Sequence, residues 1–250
     1  VTGAVNPPPR GTTTSYQAFL ERHETAHPFD FNNRLQLFID AYRSHRAALG
    51  RPADILDIGC GRQPELLAHI EPADSYHGVD FYDPSTVSMP AYTQLDLNSE
   101  SLVDALGEGS FDVVFCGEVL EHLFAPDTLL GQIHKTLQHD GILVVSTPNL
   151  AYWRNRILLV LGISPLYLEN AVEMKLGRRF RALGQGNPTE GHVKVFTYRA
   201  LRDVLALKGF DVVGVTSTVT WPNRLDRLVG RFSRSLAANN VIVARRGVAG

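Results

Sequence analysis

The decapeptide Ile55-Leu56-Asp57-Ile58-Gly59-Cys60-Gly61-Arg62-Gln63-Pro64 constrains the fold of this chain more than any other stretch. Ile55, Leu56 and Ile58 form a short apolar run suited to a strand covered on both faces, and two glycines follow closely. Glycine removes the Cβ that would hold a ligand away from the backbone. The pattern predicts a strand, a glycine turn and then a helix over Pro64 to Ile70, with proline near the first turn. Such a unit leaves free N–H groups at the carboxyl edge of a parallel sheet, where open α/β folds bind nucleotides.

The same alternation continues downstream. Tyr76 to Phe81 reads as a second strand ending in Asp80, which lies 23 residues after Asp57. An acid there accepts both ribose hydroxyls of a bound nucleotide, although alone it would equally be a surface residue capping a turn. Tyr92 to Asn98 reads as a third strand and its loop, with Asp96 as a further acid; Asp-Leu-Asn is also a helix N-cap signal. Phe111 to Cys116 is a fourth, buried strand, and Gly117 lets the backbone approach a ligand. Asp140-Gly141 opens a fifth strand, Ile142 to Asn149; a helix from Thr197 to Lys208 and strands at Phe210–Thr216 and Asn240–Arg245 follow. Strands alternating with helices imply right-handed crossovers and a parallel sheet covered on both faces.

Asp57-x-Gly59-x-Gly61, Asp80, Asp96 and Cys116-Gly117-Glu118-Val119-Leu120-Glu121-His122 together resemble the class I S-adenosylmethionine-dependent methyltransferases. The resemblance covers residues 53–149 closely and 193–246 in outline. It implies an α/β, Rossmann-like, seven-stranded and mostly parallel sheet with helices on both faces, the last strand antiparallel between its neighbours. N-terminal helices and a cap insertion complete the expected domain. The resemblance assigns S-adenosyl-L-methionine to Asp57, Gly59, Cys60 and Gly61 at its methionine end and to Asp80 and Phe81 at its ribose and adenine. It adds Asp96 and Leu97 at the adenine, and Gly117 and Glu118 beside the methionine part. Gln63 replaces the family's third glycine, so the course of that loop is left open. The same departure disfavours an NAD-dependent oxidoreductase, whose fingerprint needs three glycines.

At 250 residues with 44% hydrophobic residues, the chain can bury one full core, and a single domain over residues 1–250 is expected. Residues 1–14, with Pro7-Pro8-Pro9, read as a flexible leader. Helices are expected at Ser15–His23 and Asn32–Leu49, and by resemblance Tyr16, Phe29 and Phe31 are lid candidates. Residues 150–192 form the expected substrate-cap insertion, with Trp153, Leu166 and Tyr167 as wall candidates. No apolar run reaches the roughly 18 residues of a membrane span and no signal-peptide pattern opens the chain, so a cytoplasmic protein is expected. Cys60 and Cys116 are expected to be reduced, buried and structural.

The net charge of −2 conceals a division: residues 1–150 hold 8 Lys+Arg against 20 Asp+Glu, and residues 151–250 hold 16 against 6. A basic C-terminal part can meet an anionic substrate, a nucleic acid or a membrane surface, or simply be solvated. Within it, residues 222–236 read as a basic amphipathic helix. Arg224, Arg227, Arg231 and Arg234 fall on one face and Leu225, Leu228, Val229 and Phe232 largely on the other. A membrane-peripheral location is one expectation; packing of the apolar face on the sheet is the ordinary alternative.

Methyl transfer from a sulfonium is an in-line displacement, so the protein must position a nucleophile and exclude water. A hydroxyl acceptor must also lose its proton, to a histidine or through a bound metal ion. A helix begun after Gly117 would set Glu118, Glu121 and His122 on one side. Glu-x-x-Glu-His resembles the metal-ligand segment of the Hen1-type RNA 2′-O-methyltransferases, with His192 as the further ligand. That resemblance makes Glu118, Glu121, His122 and His192 a candidate Mg²⁺ or Mn²⁺ site. The same segment occurs in metal-free small-molecule enzymes, which makes His122 and His192 candidate catalytic bases. The leading reading is O-methylation of a small-molecule, glycan or lipid-linked acceptor. The alternatives are a metal-dependent RNA 2′-O-methyltransferase, with nucleic acid the less favoured partner, and a non-catalytic nucleotide-binding protein.

Overall fold

The computed structural model describes residues 31–218 and 224–247. The leader, the first expected helix, Tyr16 and Phe29 lie outside these residues, as does the side chain of Phe31. The elements run α1 (Phe31–Leu49), β1 (Asp54–Ile58), β2 (Ser75–Asp80), β3 (Tyr92–Gln94), α2 (Leu102–Leu106) and β4 (Phe111–Gly117). They continue with α3 (Pro126–Thr136), β5 (Leu137–Pro148), α4 (Trp153–Val160), α5 (Tyr198–Leu207), β6 (Phe210–Thr218), α6 (Arg224–Phe232) and β7 (Asn239–Arg246).

Seven strands form one sheet in the order β3-β2-β1-β4-β5-β7-β6. β1 through β5 pair in parallel, and β7 enters antiparallel between β5 and β6. Because side chains alternate across a strand, each central strand feeds two cores. Ile55, Val113, Phe115, Ile142 and Val144 meet Phe38, Ile39 and Tyr42 of α1 on one face. Leu56, Ile58, Val114, Cys116, Leu143 and Val145 meet α3 and α5 on the other, through Leu129, Leu130, Ile133, Leu201 and Leu205. The near-continuous apolar runs of β1, β4 and β5 thus reflect burial from both sides.

Three segments depart from expectation. The helix expected over Pro64 to Ile70 is a 3₁₀ turn, Glu65–His69. The helix expected from Gly117 is also only a 3₁₀ turn, Leu120–His122, because Glu118 takes a left-handed φ of 57° and breaks the helical path. The helix expected over 222–236 runs from Arg224 to Phe232, with a separate 3₁₀ turn at Arg234–Leu236.

Buried polar residues hold the long connections. Asn149 is 2% exposed, donates to the carbonyls of Ser235 and Ala237, and accepts from the N–H groups of Ala151 and Tyr198. It therefore ties both ends of the 150–192 insertion to the chain before β7. Inside the insertion, the buried Arg178 guanidinium donates to the carbonyls of Leu166, Leu168 and Leu183, replacing a regular ladder with a side-chain hub. Cys60 and Cys116 are both free thiols and buried.

Candidate active site

β1 ends at the glycine turn, and Gly59 and Gly61 take φ of 73° and 68°, a region costly to other residues. A Cβ on Gly59 would stand 2.3 Å from Val119 Cγ2, whereas one on Gly61 would project into open space. The turn borders a cavity of about 280 Å³ lined by Arg34, Phe38, Asp57, Gly59, Cys60 and Gly117, among others. Asp57 is half-buried at the end of β1, and desolvation pushes its carboxyl up to about 7, with Asp80 adding to the rise and the Tyr76 hydroxyl opposing it. One cavity therefore offers a guanidinium and a carboxyl, matching the carboxylate and ammonium of an amino-acid ligand.

The acids at the next strand ends have defined local roles. Asp80 accepts the N–H of Gly61 at 2.9 Å and of Phe81 at 2.7 Å, locking the glycine turn to the end of β2. Phe81 lies beside Tyr82, with ring centroids 4.3 Å apart. Asp96 accepts from the N–H of Asn98 and the Ser99 hydroxyl, so its side chain caps its own turn. Leu97 packs against the core on the α3 side.

Glu118 follows Gly117, which lines this cavity. Its Oε1 accepts from Ser146 and Asn239, each at 2.8 Å, and pairs with Arg34 at 3.2 Å. A non-glycine residue at positive φ is maintained only where its surroundings over-determine it, and these partners do so. Glu118 therefore stands with Arg34 and apart from the other three expected metal ligands. Arg34, Ser146 and Asn239 carried no signal in the sequence beyond their places on an amphipathic helix and at strand ends.

Glu121, His122 and His192 come together, one ligand atom from each lying within 4.8 Å of the others. The chain arranges this contact: the carbonyl of Glu121 accepts the N–H groups of Val193 and Lys194, which draws the end of the insertion onto the turn after β4. His122 Nδ1 lies 3.2 Å from the Gly191 carbonyl and His192 Nδ1 lies 3.1 Å from the Tyr167 carbonyl. Carbonyl oxygens only accept, so each Nδ1 carries a proton where it meets its carbonyl. Burial, followed by the neighbouring His192, lowers His122 to about 4, which makes it neutral at ordinary pH. Glu121 is 1% exposed and neither carboxyl oxygen has a hydrogen-bond partner. Burial and then the charge of Glu118 hold its pKa well above the carboxylate range.

His192 is fixed by a residue the sequence did not mark. The Glu169 carboxylate accepts three successive backbone N–H groups, those of Glu190, Gly191 and His192, at 2.6, 2.8 and 3.0 Å. Glu169, Glu190 and His192 form a second acidic cluster, but the Lys175 ammonium pairs with both carboxylates there.

The strand order, the antiparallel seventh strand, the glycine turn on β1 and the acid ending β2 define a class I methyltransferase fold. A family model described as a methyltransferase domain matches residues 31–215, and the chain belongs to that family. It is 34% identical over 111 residues to a Mycolicibacterium smegmatis protein named a probable S-adenosylmethionine-dependent methyltransferase, covering 42% of this chain and 41% of that one. A Mycobacterium tuberculosis protein of the same description is 28% identical over 155 residues, covering 58% and 53%. The chain thus spans about half the length of these curated relatives.

Solved structures agree on the fold. A Burkholderia thailandensis 1,6-didemethyltoxoflavin-N1-methyltransferase, determined with that compound and S-adenosylhomocysteine, aligns at a TM-score of 0.52 and 19% identity, covering 99% of this chain and 94% of that one. An S-adenosylmethionine-dependent methyltransferase from Archaeoglobus fulgidus aligns at 0.51 and 16%, covering 92% and 99%.

The raised pKa of Asp57 yields a pH prediction. Its folded pKa lies above the unfolded carboxyl value, so its contribution to stability is complete below about pH 4 and lost as pH rises through about 7. Urea midpoints of wild type and Asp57→Asn are expected to diverge over that window, the wild type falling relative to the variant. Parallel curves would show that Asp57 does not titrate there.

Proposed function

We propose that this chain transfers a methyl group from S-adenosylmethionine to a hydroxyl of a small-molecule, glycan or lipid-linked acceptor. The observation that supports the hydroxyl assignment is the Glu121–His122–His192 cluster, a proton-handling group on the turn that follows Gly117, itself a residue lining the cavity. Glycine backbone, Asp57 and Arg34 hold the amino-acid end of the donor, and Asp80 with Phe81 hold its nucleoside. The acceptor oxygen attacks the sulfonium methyl in line. The C–S bond breaks as the O–C bond forms, and the hydroxyl proton leaves toward the cluster, giving a methyl ether and S-adenosylhomocysteine.

The cluster fits a divalent cation, because a buried carboxyl without a donor beside two imidazoles, with one ligand atom from each within 4.8 Å of the others, is a donor set that such an ion satisfies. Glu121, His122 and His192 would hold it, with the Gly191 and Tyr167 carbonyls orienting the imidazoles. When bound, the ion would lower the pKa of the acceptor hydroxyl. A second reading has no cation and uses a neutral imidazole as base; the low pKa of His122 keeps it unprotonated for that role.

The test is a labelled-methyl assay on fractionated acceptors: polar metabolites and glycans, lipid extract, and RNA. Label in an alkali-stable ether of the first two fractions is the expected result. Label confined to amines or to RNA would overturn the acceptor assignment. Absence of calorimetric heat with S-adenosylhomocysteine would overturn the donor assignment.

A further inference from the structure

Val229 of α6 is half-buried, but the other apolar residues of the helix face water. Leu225, Leu228 and Phe232 are 51%, 54% and 84% exposed, while the buried residue of the helix, among those described, is an acid, Asp226. Asp226 accepts the indole N–H of Trp153 at 2.6 Å and both Nε and Nη2 of Arg154, so the first turns of α6 and α4 are joined. α4 exposes its own apolar residues along the turns after Trp153: Ile157, Val160 and, just past its end, Leu161. Ile157 and Val160 follow Trp153 by four and seven positions, on the helix face that carries the indole. With Leu159, which is also exposed, the two joined helices leave seven large aliphatic or aromatic side chains in water, beyond the scattered single residues expected of a surface.

Their position and charge identify the occupant. β5 and β6 both run antiparallel to β7, so α4 and α6 leave the sheet at the same carboxyl edge that bears the glycine turn. The apolar ledge therefore lies on the cofactor side of the molecule. The segment is basic: residues 151–250 carry 16 Lys+Arg against 6 Asp+Glu, and the sequence sets Arg224, Arg227 and Arg231 one residue ahead of Leu225, Leu228 and Phe232 in the same helix. An apolar row in so basic a segment suits a helix lying in the plane of an anionic interface, with its apolar groups in the acyl boundary. Among the described residues no helix is long and apolar enough to cross a membrane, so contact would be peripheral.

We propose that α4 and α6 seat this protein on an anionic phospholipid surface, with the carboxyl edge of the sheet toward the bilayer. The inference is independent of the acceptor assignment, since binding is read without any methyl transfer.

The full chain is expected to co-sediment with phosphatidylcholine vesicles containing about one-third phosphatidylglycerol, and several-fold less with phosphatidylcholine alone. Leu228→Glu/Phe232→Glu and Val160→Glu/Leu161→Glu are each expected to lower partitioning by about tenfold or more. Unchanged S-adenosylhomocysteine binding in these variants reports an intact fold. Wild-type partitioning in both double variants would overturn the proposal. So would an absence of vesicle binding, including the case of a dimer by light scattering that the variants dissociate, which would assign the ledge to a second copy.

Discussion

Stripping divalent cations with EDTA is expected to reduce methyl transfer by about a hundredfold or more, with Mn²⁺ or Mg²⁺ restoring it. The expectation rests on Glu121, whose two carboxyl oxygens are buried without a hydrogen-bond donor. An orphaned buried acid is costly, and a cation shared with His122 and His192 would repay that cost. Electron paramagnetic resonance of added Mn²⁺ provides a readout apart from activity: wild type should bind one ion, and Glu121→Gln and His192→Ala should bind it at least about tenfold more weakly. Glu118→Gln tests the division of the site, because its carboxylate is held by Arg34, Ser146 and Asn239. Its Mn²⁺ affinity is expected to change least. Full turnover by metal-free protein would reject the cation and leave the imidazole reading.

Gly59→Ala is expected to weaken S-adenosylhomocysteine binding by about ten- to a hundredfold, from roughly 1–3 kcal/mol of strain. Its Cβ would stand 2.3 Å from Val119 Cγ2 at a backbone φ of 73°, so the turn or the Val119 segment must move. Gly61→Ala discriminates between collision and ligand exclusion. Its Cβ meets no protein atom within 4 Å, so stability should fall only by the left-handed backbone cost of about 1–2 kcal/mol, while cofactor affinity falls further. Calorimetry with S-adenosylhomocysteine and thermal unfolding measure the two effects separately. Unchanged affinity in both variants would remove the glycine turn from the cofactor site.

The legibility of this chain followed the range of the interactions involved. β1, β4 and β5 announced themselves because burial on both faces demands apolar runs, and the turn after β1 did so because positive φ demands glycine. Asp80 was placed by its distance from that turn. Asp96 carried two readings, and the structure shows its side chain capping its own loop through Asn98 and Ser99. The helix expected after Gly117 failed because the conformation of Glu118 is imposed by Arg34, Ser146 and Asn239, residues 84, 28 and 121 positions away. The amphipathic pattern of α6 was legible, but whether its apolar side met the sheet or water was not, since the buried position went to Asp226 through Trp153 and Arg154.

The sequence by itself determined the strand succession, the glycine turn and the type of chemistry its acids and histidines can support, because local sterics and burial periodicity act over a few residues. Tertiary structure alone decided which of those residues meet. It put Arg34 with Glu118 and left Glu118 out of the Glu121–His122–His192 group. It also used Glu169 to fix His192 through three backbone N–H groups. Such contacts join residues far apart in the chain, and side-chain hydrogen bonds satisfied only after folding leave no periodic trace in the order of amino acids.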